Sequence, residues 1–380
     1  MKLTINRDTF LKAVTQCNIP LVNVGNKALA CVALTAAKDL KSPGPDSLAL
    51  RSVNGLICME PLVLCKVHEE GDCAVDFKLL RDAVATMPSG DLSIELTRKG
   101  KIVVSLGTRR WTRDTILAKD VPQSADPNGA DMIMKLGARA LLECVSRLEY
   151  VVDNVMKHET ARQGVYLDVL ENELTAVAIG EHVFGYNQPI DAQCSSDGKP
   201  VRMLLPSYAL KQIREIATEN EAAVLEIRTQ EKAWSWVHDS STLLCFVPPF
   251  GEFTDWRHYF AQIRPNPICR IPRLAMLESL NAFISTSSNP FALMTLTLFE
   301  DSSLSVEPAQ DDYFQDRIPV MDVVTKEFPK FTLQAQYLRS TLKAAGSDVV
   351  LSLPDVGNIA VLTTDDGFYG GIMLASPPQR

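Results

Sequence analysis

The 380-residue sequence lacks the short signatures of the common enzyme classes. It contains no G-x-x-x-x-G-K-[ST] loop, no G-x-G-x-x-G after a strand, no H-E-x-x-H and no G-x-S-x-G. Its five histidines are scattered without metal-ligand spacing. Glu69-Glu70 and Asp311-Asp312 lie in polar stretches typical of solvated turns. The sequence therefore predicts a protein that is not an enzyme, with no cofactor and no metal. A cysteine–histidine nucleophile stays open, although no local signature supports one.

Cysteine pairs and long apolar runs are also missing. The nine cysteines are odd in number, include no C-x-x-C and lie mostly in apolar runs such as Leu243–Val247. This usage is typical of buried thiols in a reducing compartment. No segment approaches the ~20 apolar residues of a membrane span, and the N-terminus lacks the apolar core of a signal peptide. We therefore expect a cytoplasmic protein with no membrane association.

The charge total gives no indication of nucleic-acid binding. Hydrophobic residues make up 46% of the chain and charged residues 22%, as in an ordinary globular protein, and the formal net charge is −8. A total does not describe how charge is distributed, however. An acidic exterior could still surround a basic inner surface.

A helix with an apolar side and a neighbouring cation occurs three times, in 77–84, 205–217 and 335–342. Each copy places a leucine directly before a cation, and the pairs are Leu80-Arg81, Leu210-Lys211 and Leu338-Arg339. The copies are separated by 130 and 128 residues. This spacing between copies is far longer than the repeat of a solenoid protein. It predicts that each copy belongs to a separate unit with its own core.

Two other segments recur with the same spacing. A strand that runs into a helix occurs at Leu3–Val14, Met134–Val145 and Cys269–Leu280, and an alternating strand at Leu48–Leu50, Leu174–Val177 and Leu304–Val306. Their common period predicts three tandem copies of one domain, with boundaries 1–124, 125–264 and 265–380. Each copy combines two helices with antiparallel strands, so the expected fold class is α+β with helices packed on antiparallel sheet.

The recurring cations lie opposite the apolar columns of their helices. They are Arg81, Lys211 and Arg339 on the second helix of each copy, and Lys12 and Arg147 on the first helices. An exposed cation ordinarily belongs to a solvated face. Independent surfaces have no reason to keep a cation in register, so the recurrence favours a shared function.

Three segments carry a resemblance to a known family. Met1–Lys12 is similar to the start of that family, Gly251–Arg257 to its G-[RE]-F-P-D-[YW]-R segment, and Leu117–Pro122 occupies the matching place in the first unit. With the three units, they resemble the bacterial DNA polymerase III beta subunit, the beta sliding clamp, as a divergent member. The resemblance covers the whole chain at low identity. It implies a ring of two copies whose helices line a channel around duplex DNA.

The resemblance also implies a DNA sliding clamp that works as a processivity factor. Such a ring tethers the DNA polymerase III catalytic subunit, the clamp loader and other clamp-binding-motif proteins to double-stranded DNA. Cations that face phosphates attract DNA without reading its bases, so the ring can slide. The implied DNA-channel residues are Lys12, Lys27, Arg81, Arg147, Lys157, Arg162, Lys211, Arg339 and Lys343.

Rings of the family close by pairing an edge strand of unit one with an edge strand of unit three of a second copy. The resemblance places Arg110 and Trp111 on the first strand and makes Phe283 and Ile284 their apolar partners. Trp111 as an ordinary core residue stays open as an alternative.

Partners of the family insert a short peptide into an apolar pocket between units two and three. The implied pocket residues here are Val165, Ile179, His182, Val183, Phe184, Thr254, His258, Tyr259, Met373 and Leu374. In the family's T-D-G-H-R-L segment only His182 persists, and Val183 replaces the arginine. The tail is also longer than the family's M-P-M-R-[L/I] ending. These departures predict a reshaped pocket with an altered partner preference.

Two alternatives to a replicative clamp remain open. One is an accessory or mobile-element clamp-fold protein that serves repair or specialised replication with other partners. The other is a clamp-fold protein that no longer encircles DNA and binds only proteins.

Overall fold

The computed structural model describes residues 1–19, 26–38, 46–123, 130–153, 163–170, 172–187, 190–191, 193–194, 201–219, 221–230, 234–239, 241–247, 253–287, 289, 291–310, 313–326, 328–354 and 358–379. Within these residues no helix is both long and apolar enough to span a membrane. The α-helices of this part of the chain are α1 (Arg7–Gln16), α2 (Phe77–Thr86), α3 (Ala138–Val152), α4 (Ser207–Glu219), α5 (Trp256–Ala261), α6 (Arg273–Thr286) and α7 (Ala335–Ala345).

The strands before α4 are β1 (Lys2–Asn6), β2 (Cys31–Ala37), β3 (Ser47–Val53), β4 (Ile57–Leu64), β5 (Lys66–Glu69), β6 (Gly71–Asp76), β7 (Asp91–Leu96), β8 (Lys101–Leu106), β9 (Arg109–Asp114), β10 (Asp131–Gly137), β11 (Gly164–Leu170), β12 (Glu173–Ile179), β13 (Val183–Asn187), β14 (Ile190–Asp191), β15 (Gln193–Cys194) and β16 (Val201–Pro206). The later strands are β17 (Val224–Gln230), β18 (Trp234–His238), β19 (Thr242–Phe246), β20 (Pro267–Ile271), β21 (Leu293–Leu298), β22 (Ser303–Pro308), β23 (Asp316–Pro319), β24 (Lys330–Gln334), β25 (Val349–Ser352), β26 (Ile359–Thr363), β27 (Phe368–Met373) and β28 (Ser376–Gln379).

The order of elements repeats three times. A strand runs into a first helix at β1–α1, β10–α3 and β20–α6, and after further strands a second helix follows as α2, α4 and α7. All sheet pairings given for these strands are antiparallel. The predicted α+β class and its threefold repeat are therefore confirmed. The domain boundaries 1–124, 125–264 and 265–380 stay a prediction.

By contacts, the chain divides into two compact units. The first unit contains Met1–Arg139 and Lys211–Pro248, and the second contains Ala140–Leu210 and Pro249–Arg380. In the first unit, one sheet has the order β5-β1-β7-β8-β9, and another runs β10-β17-β18-β19-β4-β3-β2-β6. In the second unit, one sheet runs β16-β11-β12-β13-β27-β26-β25-β20 and another β23-β22-β21-β24-β28.

Each long sheet joins the same two sets of strands. One set contains the first strand of a copy and its last hairpin strands, as in β10-β17-β18-β19 and β20-β25-β26-β27. The other set is β4-β3-β2-β6 or β13-β12-β11-β16, and the joints are the pairs β19–β4 and β27–β13. Each five-stranded sheet contains only one set of four strands and one further strand. The sets are β1-β7-β8-β9, extended by β5, and β23-β22-β21-β24, extended by β28. Consequently β9 and β23 are edge strands. Each occupies the position at which the corresponding strand of a long sheet pairs with the next set.

The helices form where the predicted apolar columns meet the sheets. Phe10 and Val14 of α1 are buried in one cluster with Leu80 and Val84 of α2. The side chain of Asn6 caps α1 by accepting from the amides of the second and third helical residues. Burial of each such apolar side chain contributes about 1.5–3 kcal/mol. These contacts fix which faces of α1 and α2 remain exposed.

An arginine at the start of the first helix caps the end of the second helix in two copies. Arg7 donates from Nε to Val84 O at 3.1 Å and from Nη2 to Ala85 O at 2.6 Å. Arg273 donates to the carbonyls of Leu342 at 2.7 Å and Lys343 at 3.3 Å. The last carbonyls of a helix have no partner inside the helix, and a cation there also complements the helix dipole.

Replacement of Arg7 and Arg273 by alanine is expected to lower the free energy of unfolding. Each substitution removes two hydrogen bonds to helix-terminal carbonyls, which predicts a loss of about 1–2 kcal/mol per site. Urea denaturation followed by circular dichroism measures the change. Arg98→Ala, in an exposed turn, is the matched control; equal losses in all variants would contradict the capping role.

Candidate nucleic-acid and partner surfaces

On α2, Arg81 is held by groups of its own helix. Its Nε and Nη2 donate to Asp82 Oδ1 at 3.0 and 2.7 Å, and the guanidinium lies 5.6 Å from the centre of the Phe77 ring. Two donors of the guanidinium are therefore occupied by a neighbouring carboxylate. An exposed pair of this kind is easily broken, since such pairs contribute about 0–1 kcal/mol.

The equivalent cations on α4 and α7 have different surroundings. Lys211 forms an ion pair with Glu215, one helical turn later, at 3.7 Å. Arg339 is half-buried on α7 and Lys343 is exposed one turn beyond it. Neither of these two side chains has a carboxylate partner among the residues that the structure describes. Arg81 thus has two hydrogen bonds to a carboxylate, and Lys211 has one longer ion pair. Arg339 has no carboxylate partner in the described part of the chain.

Arg147 of α3 binds a carboxylate far along the chain. Its Nη2 lies 2.6 Å from Asp366 Oδ2 in the β26–β27 turn, and the Thr364 hydroxyl donates to the same carboxyl group. Partial burial acts to raise the pKa of Asp366, but these donors outweigh it and lower that pKa. Arg147, predicted only as a DNA contact, therefore also links the second and third copies within the second unit.

The remaining predicted channel cations lie on other elements or outside the described residues. Lys12 is exposed on α1, and Lys27 is exposed at the start of a short 3-10 helix. Lys157 and Arg162 lie outside the described residues. Their proximity to DNA stays a prediction.

The helices differ from the rest of the chain in charge. The six repeated helices contain eleven Lys and Arg against seven Asp and Glu, a net charge of +4. The whole chain has 38 basic and 46 acidic residues, so 27 basic and 39 acidic residues lie outside these helices. Charge is therefore unequal between the repeated helices and the remainder of the chain, and an inner basic surface stays a prediction. Basic helices attract a polyanion even when the whole protein is acidic.

The predicted pocket residues fall into two groups in the second unit. Those that are buried are Val165, Ile179, Val183, Phe184 and Leu374, and those that are exposed or half-exposed are His182, Thr254, His258, Tyr259 and Met373. The buried group lies beneath the surface rather than lining it. A ligand can reach only the second group without displacing protein atoms.

An aromatic cluster occupies the centre of this region. The Phe184 ring lies 4.9 Å from that of Phe260 and 5.9 Å, edge-on, from that of Tyr259. Tyr369 stacks on Tyr186 at 4.6 Å, and burial raises the pKa of Tyr369. The ring of Phe184 also rests directly on Gly371, where any Cβ would overlap it.

Sequence reasoning missed several members of the cluster, namely Tyr186, Trp256, Phe260 and Tyr369. Trp256 and Phe260 are four residues apart on α5, and this i, i+4 aromatic spacing could have indicated a shared apolar face. Gly370-Gly371 beside Tyr369 could have indicated a close approach to a strand.

The exposed part of the region surrounds this cluster. His182 O accepts from Met373 N at 2.9 Å, which keeps the β12–β13 turn beside the end of β27. The His182 ring lies 5.7 Å from the Tyr337 ring of α7. The structure therefore brings His182, Tyr259 and Met373 to the rim of the aromatic cluster, as a peptide-binding surface would require.

A buried carboxylate anchors the segment that leads into α5. Asp168 is 1% exposed, accepts from Trp256 Nε1 at 2.7 Å and lies 3.1 Å from Arg257 Nη1. Arg202 Nε is 3.6 Å from its other oxygen. Phe253 stacks on Tyr166 at 4.1 Å beside this network. A buried charge is tolerated only when paired and hydrogen-bonded. Asp168 Oδ2 meets that condition, whereas Oδ1 has the ion pair with Arg202 but no hydrogen bond among the described residues.

The predicted ring-closing strand is an unpaired edge. β9 ends its five-stranded sheet, Arg110 is exposed, and Trp111 is half-buried against the core of the first unit. Trp111 therefore combines a core contact with exposed surface, and its role in ring closure stays a prediction.

The expectation that Phe283 offers a surface contact is wrong for the single chain. Its side chain is 0% exposed, because the rings of Tyr313 and Phe314 cover it at 5.9 and 5.6 Å. Ile284 is half-buried. The apolar side chains that do reach the surface nearby are Phe291, Leu293 and Tyr313, and they line a cavity of about 510 Å³ at the end of α6.

The described residues give no support to a nucleophilic cysteine or a metal site. The side chains of eight of the nine cysteines are described and seven of these are buried, and burial raises the pKa of Cys73 and Cys269 to about 12. An activated thiol needs a lowered pKa instead. No group of three or more potential metal ligands occurs in this part of the chain.

Comparison with known proteins places the fold. No family model matches the sequence, and no curated protein matches it. Solved structures match over 99% of this chain. The DNA polymerase sliding clamp of Pseudomonas aeruginosa has 17% identity, a TM-score of 0.84 and 100% of its own length covered. The sliding clamp of Bacillus subtilis has 13% identity, a TM-score of 0.86 and 99% of its length covered. For the beta sliding clamp of C. crescentus the values are 16%, 0.85 and 99%.

The chain therefore has the fold of a DNA clamp. Within that class, its fold is that of the bacterial DNA polymerase III beta subunit, as the sequence resemblance predicted. The identities of 13–18% make its sequence divergent from those clamps.

Proposed function

We propose that the protein is a DNA sliding clamp, in which two copies form a ring around duplex DNA and act as a processivity factor. It would hold the DNA polymerase III catalytic subunit, the clamp loader and other clamp-binding-motif proteins on DNA, without catalysis and in the cytoplasm. The observation that carries the proposal is a clamp fold over 99% of the chain whose six repeated helices together carry a net charge of +4 in an acidic protein. Phosphate attraction by such helices is independent of sequence and permits sliding.

The internal repeat supports closure by a second copy. Within the chain, β19 pairs with β4 and β27 pairs with β13, both antiparallel. The equivalent strands without a joint are β9 and β23. Pairing β9 of one copy with β23 of another would complete the same eight-strand pattern. Two such joints would close a head-to-tail dimer.

Charge supports the same pairing. Residues 98–114, which include β9, contain six Lys and Arg and one acidic residue, whereas residues 300–319, which include β23, contain six Asp and Glu and one basic residue, Arg317. Opposite charge on two edges favours their encounter and disfavours pairing of like edges. Raising the salt to 1 M shortens the screening length to about 3 Å and should weaken the dimer.

The hydrogen-bond alternation of β9 provides a sharp variant. Thr115 N donates to Gly100 O at 3.1 Å, which makes Asp114 and Lys101 a non-hydrogen-bonded pair. Hydrogen-bonded and non-hydrogen-bonded pairs alternate along the two strands, so Thr112 and Val103 are also a non-hydrogen-bonded pair. The amide of Thr112 therefore points away from β8, toward the free edge. Thr112→Pro therefore removes a donor from the edge without breaking a β8–β9 hydrogen bond.

Ring formation is tested by mass photometry and by retention on nicked circular DNA. We expect a species of twice the 41.9 kDa chain mass, loaded rings that stay on circular DNA, and release when the DNA is linearised. Thr112→Pro should be monomeric and not retained, whereas Thr112→Ala should behave like the wild type. A wild-type monomer at micromolar concentration, or retention that is insensitive to linearisation, would contradict the proposal.

A specialised clamp for repair or a mobile element is the second candidate. The pocket region favours it, because Phe184 and its aromatic neighbours fill the centre and Val183 is buried. A peptide that binds there would contact the exposed side chains of His182, Tyr259 and Met373. Titration with standard clamp-binding peptides and loading by a replicative clamp loader distinguish the two candidates.

A further inference from the structure

The three equivalent second helices carry unequal cations. In α2 and in α4 a carboxylate lies near the cation. α7 has a residue that is not acidic at each of the two corresponding positions. Asp82 of α2 corresponds to Ser340, and Glu215 of α4 corresponds to Lys343, when Leu80, Leu210 and Leu338 are aligned. α7 therefore contains Arg339 and Lys343 one turn apart and no acidic residue.

We propose that Asp82 and Glu215 weaken the grip on DNA by occupying Arg81 and Lys211, so that Arg339 and Lys343 of α7 supply the main phosphate contacts among the second helices. This inference rests on the proposed clamp function. It assigns to two carboxylates a role in setting how tightly the ring holds DNA, and it makes the copies unequal.

The geometry ranks the two carboxylates. Asp82 accepts two hydrogen bonds from Arg81, at 3.0 and 2.7 Å, whereas the Lys211–Glu215 pair is 3.7 Å apart. A phosphate must replace the carboxylate before the cation can release a counterion from the duplex. Arg81 should therefore gain more than Lys211 when its partner is neutralised.

Salt dependence gives the readout. The logarithm of the binding constant falls with the logarithm of salt concentration by about 0.9 for each phosphate neutralised on duplex DNA. Each cation freed from its carboxylate adds up to that amount to the slope. Removing a cation together with its carboxylate leaves both the net charge and the slope unchanged.

The experiment compares four variants of the full chain for binding to a fluorescent linear duplex between 20 and 200 mM salt. Asp82→Asn/Glu215→Gln should bind several-fold more tightly at low salt, with a slope steeper by about 1–2. Glu95→Gln, an exposed residue on the outer face of β7, controls for a general change in charge. The pair deletion Arg81→Gln/Asp82→Asn/Lys211→Gln/Glu215→Gln should bind like the wild type. Arg339→Gln/Lys343→Gln should reduce both affinity and slope.

The outcomes separate this inference from the proposed function. If the pair deletion costs as much as Arg339→Gln/Lys343→Gln, or if Asp82→Asn/Glu215→Gln binds no better than Glu95→Gln, the inference is overturned while DNA binding by the helices stands. If no variant changes DNA binding, the helices do not contact DNA, and the inference falls together with the proposed function.

Discussion

Simultaneous replacement of Arg81, Lys211 and Arg339 by glutamate is expected to abolish retention of the protein on nicked circular DNA. The change reverses three equivalent charges and moves the net charge of the repeated helices from +4 to −2. A basic surface that held phosphates would then repel them. Gel filtration of protein loaded on labelled plasmid measures the retained fraction.

Two further measurements check that the triple substitution leaves the fold and the oligomeric state unchanged. The three side chains are exposed or half-buried and are not part of a core cluster, so circular dichroism and mass photometry should match the wild type. Reversal of three charges on strand surfaces, in Lys2, Lys66 and Lys330, serves as the matched control for total charge. Retention equal to that of the wild type would contradict the channel assignment.

Asp168→Ala is expected to be the most destabilising single substitution in the candidate pocket region. It removes the acceptor of Trp256 Nε1 and the counter-ion of Arg257. Loss of one partner of a buried ion pair costs about 3–5 kcal/mol, and the partial exposure of Arg257 reduces this to about 2–4 kcal/mol. Urea denaturation measures the change.

The local consequence can be followed separately from global stability. The indole proton of Trp256, now hydrogen-bonded at 2.7 Å, should lose its protection from hydrogen exchange in Asp168→Ala. Asp168→Asn keeps an acceptor of the same shape and should lose less. If alanine and asparagine variants both stay within 1 kcal/mol of the wild type, Asp168 does not anchor α5.

The repeat was predictable from sequence because it depends on local periodicity. Leu80, Leu210 and Leu338 were aligned from spacing alone, and the three side chains are at most 2% exposed. An apolar column that recurs with an intact helical period nearly always faces a core. The strand β9 was expected only from the family resemblance, which placed Arg110 and Trp111 on an edge strand, and both residues lie in β9.

Contacts between distant segments were not predictable in this way. Arg147 and Asp366 are 219 residues apart, and no periodicity connects a helix residue to a hairpin turn. Phe283 was expected at a surface, but the loop residues Tyr313 and Phe314 cover it. The fit of Phe184 against Gly371 likewise depends on which two strands become neighbours.

The edge strands β9 and β23, each without a partner strand on one side in the described part of the chain, bear on solubility as well as on assembly. A free strand edge exposes amides and carbonyls to which any extended chain can add, and this is a common route to aggregation. β9 carries Arg109, Arg110 and Arg113, and β23 is only four residues long and ends at Pro319. Charge, short length and proline each discourage indiscriminate strand addition. These features keep a single chain from forming fibres through β9 and β23, and in the proposed ring neither edge stays open to growth.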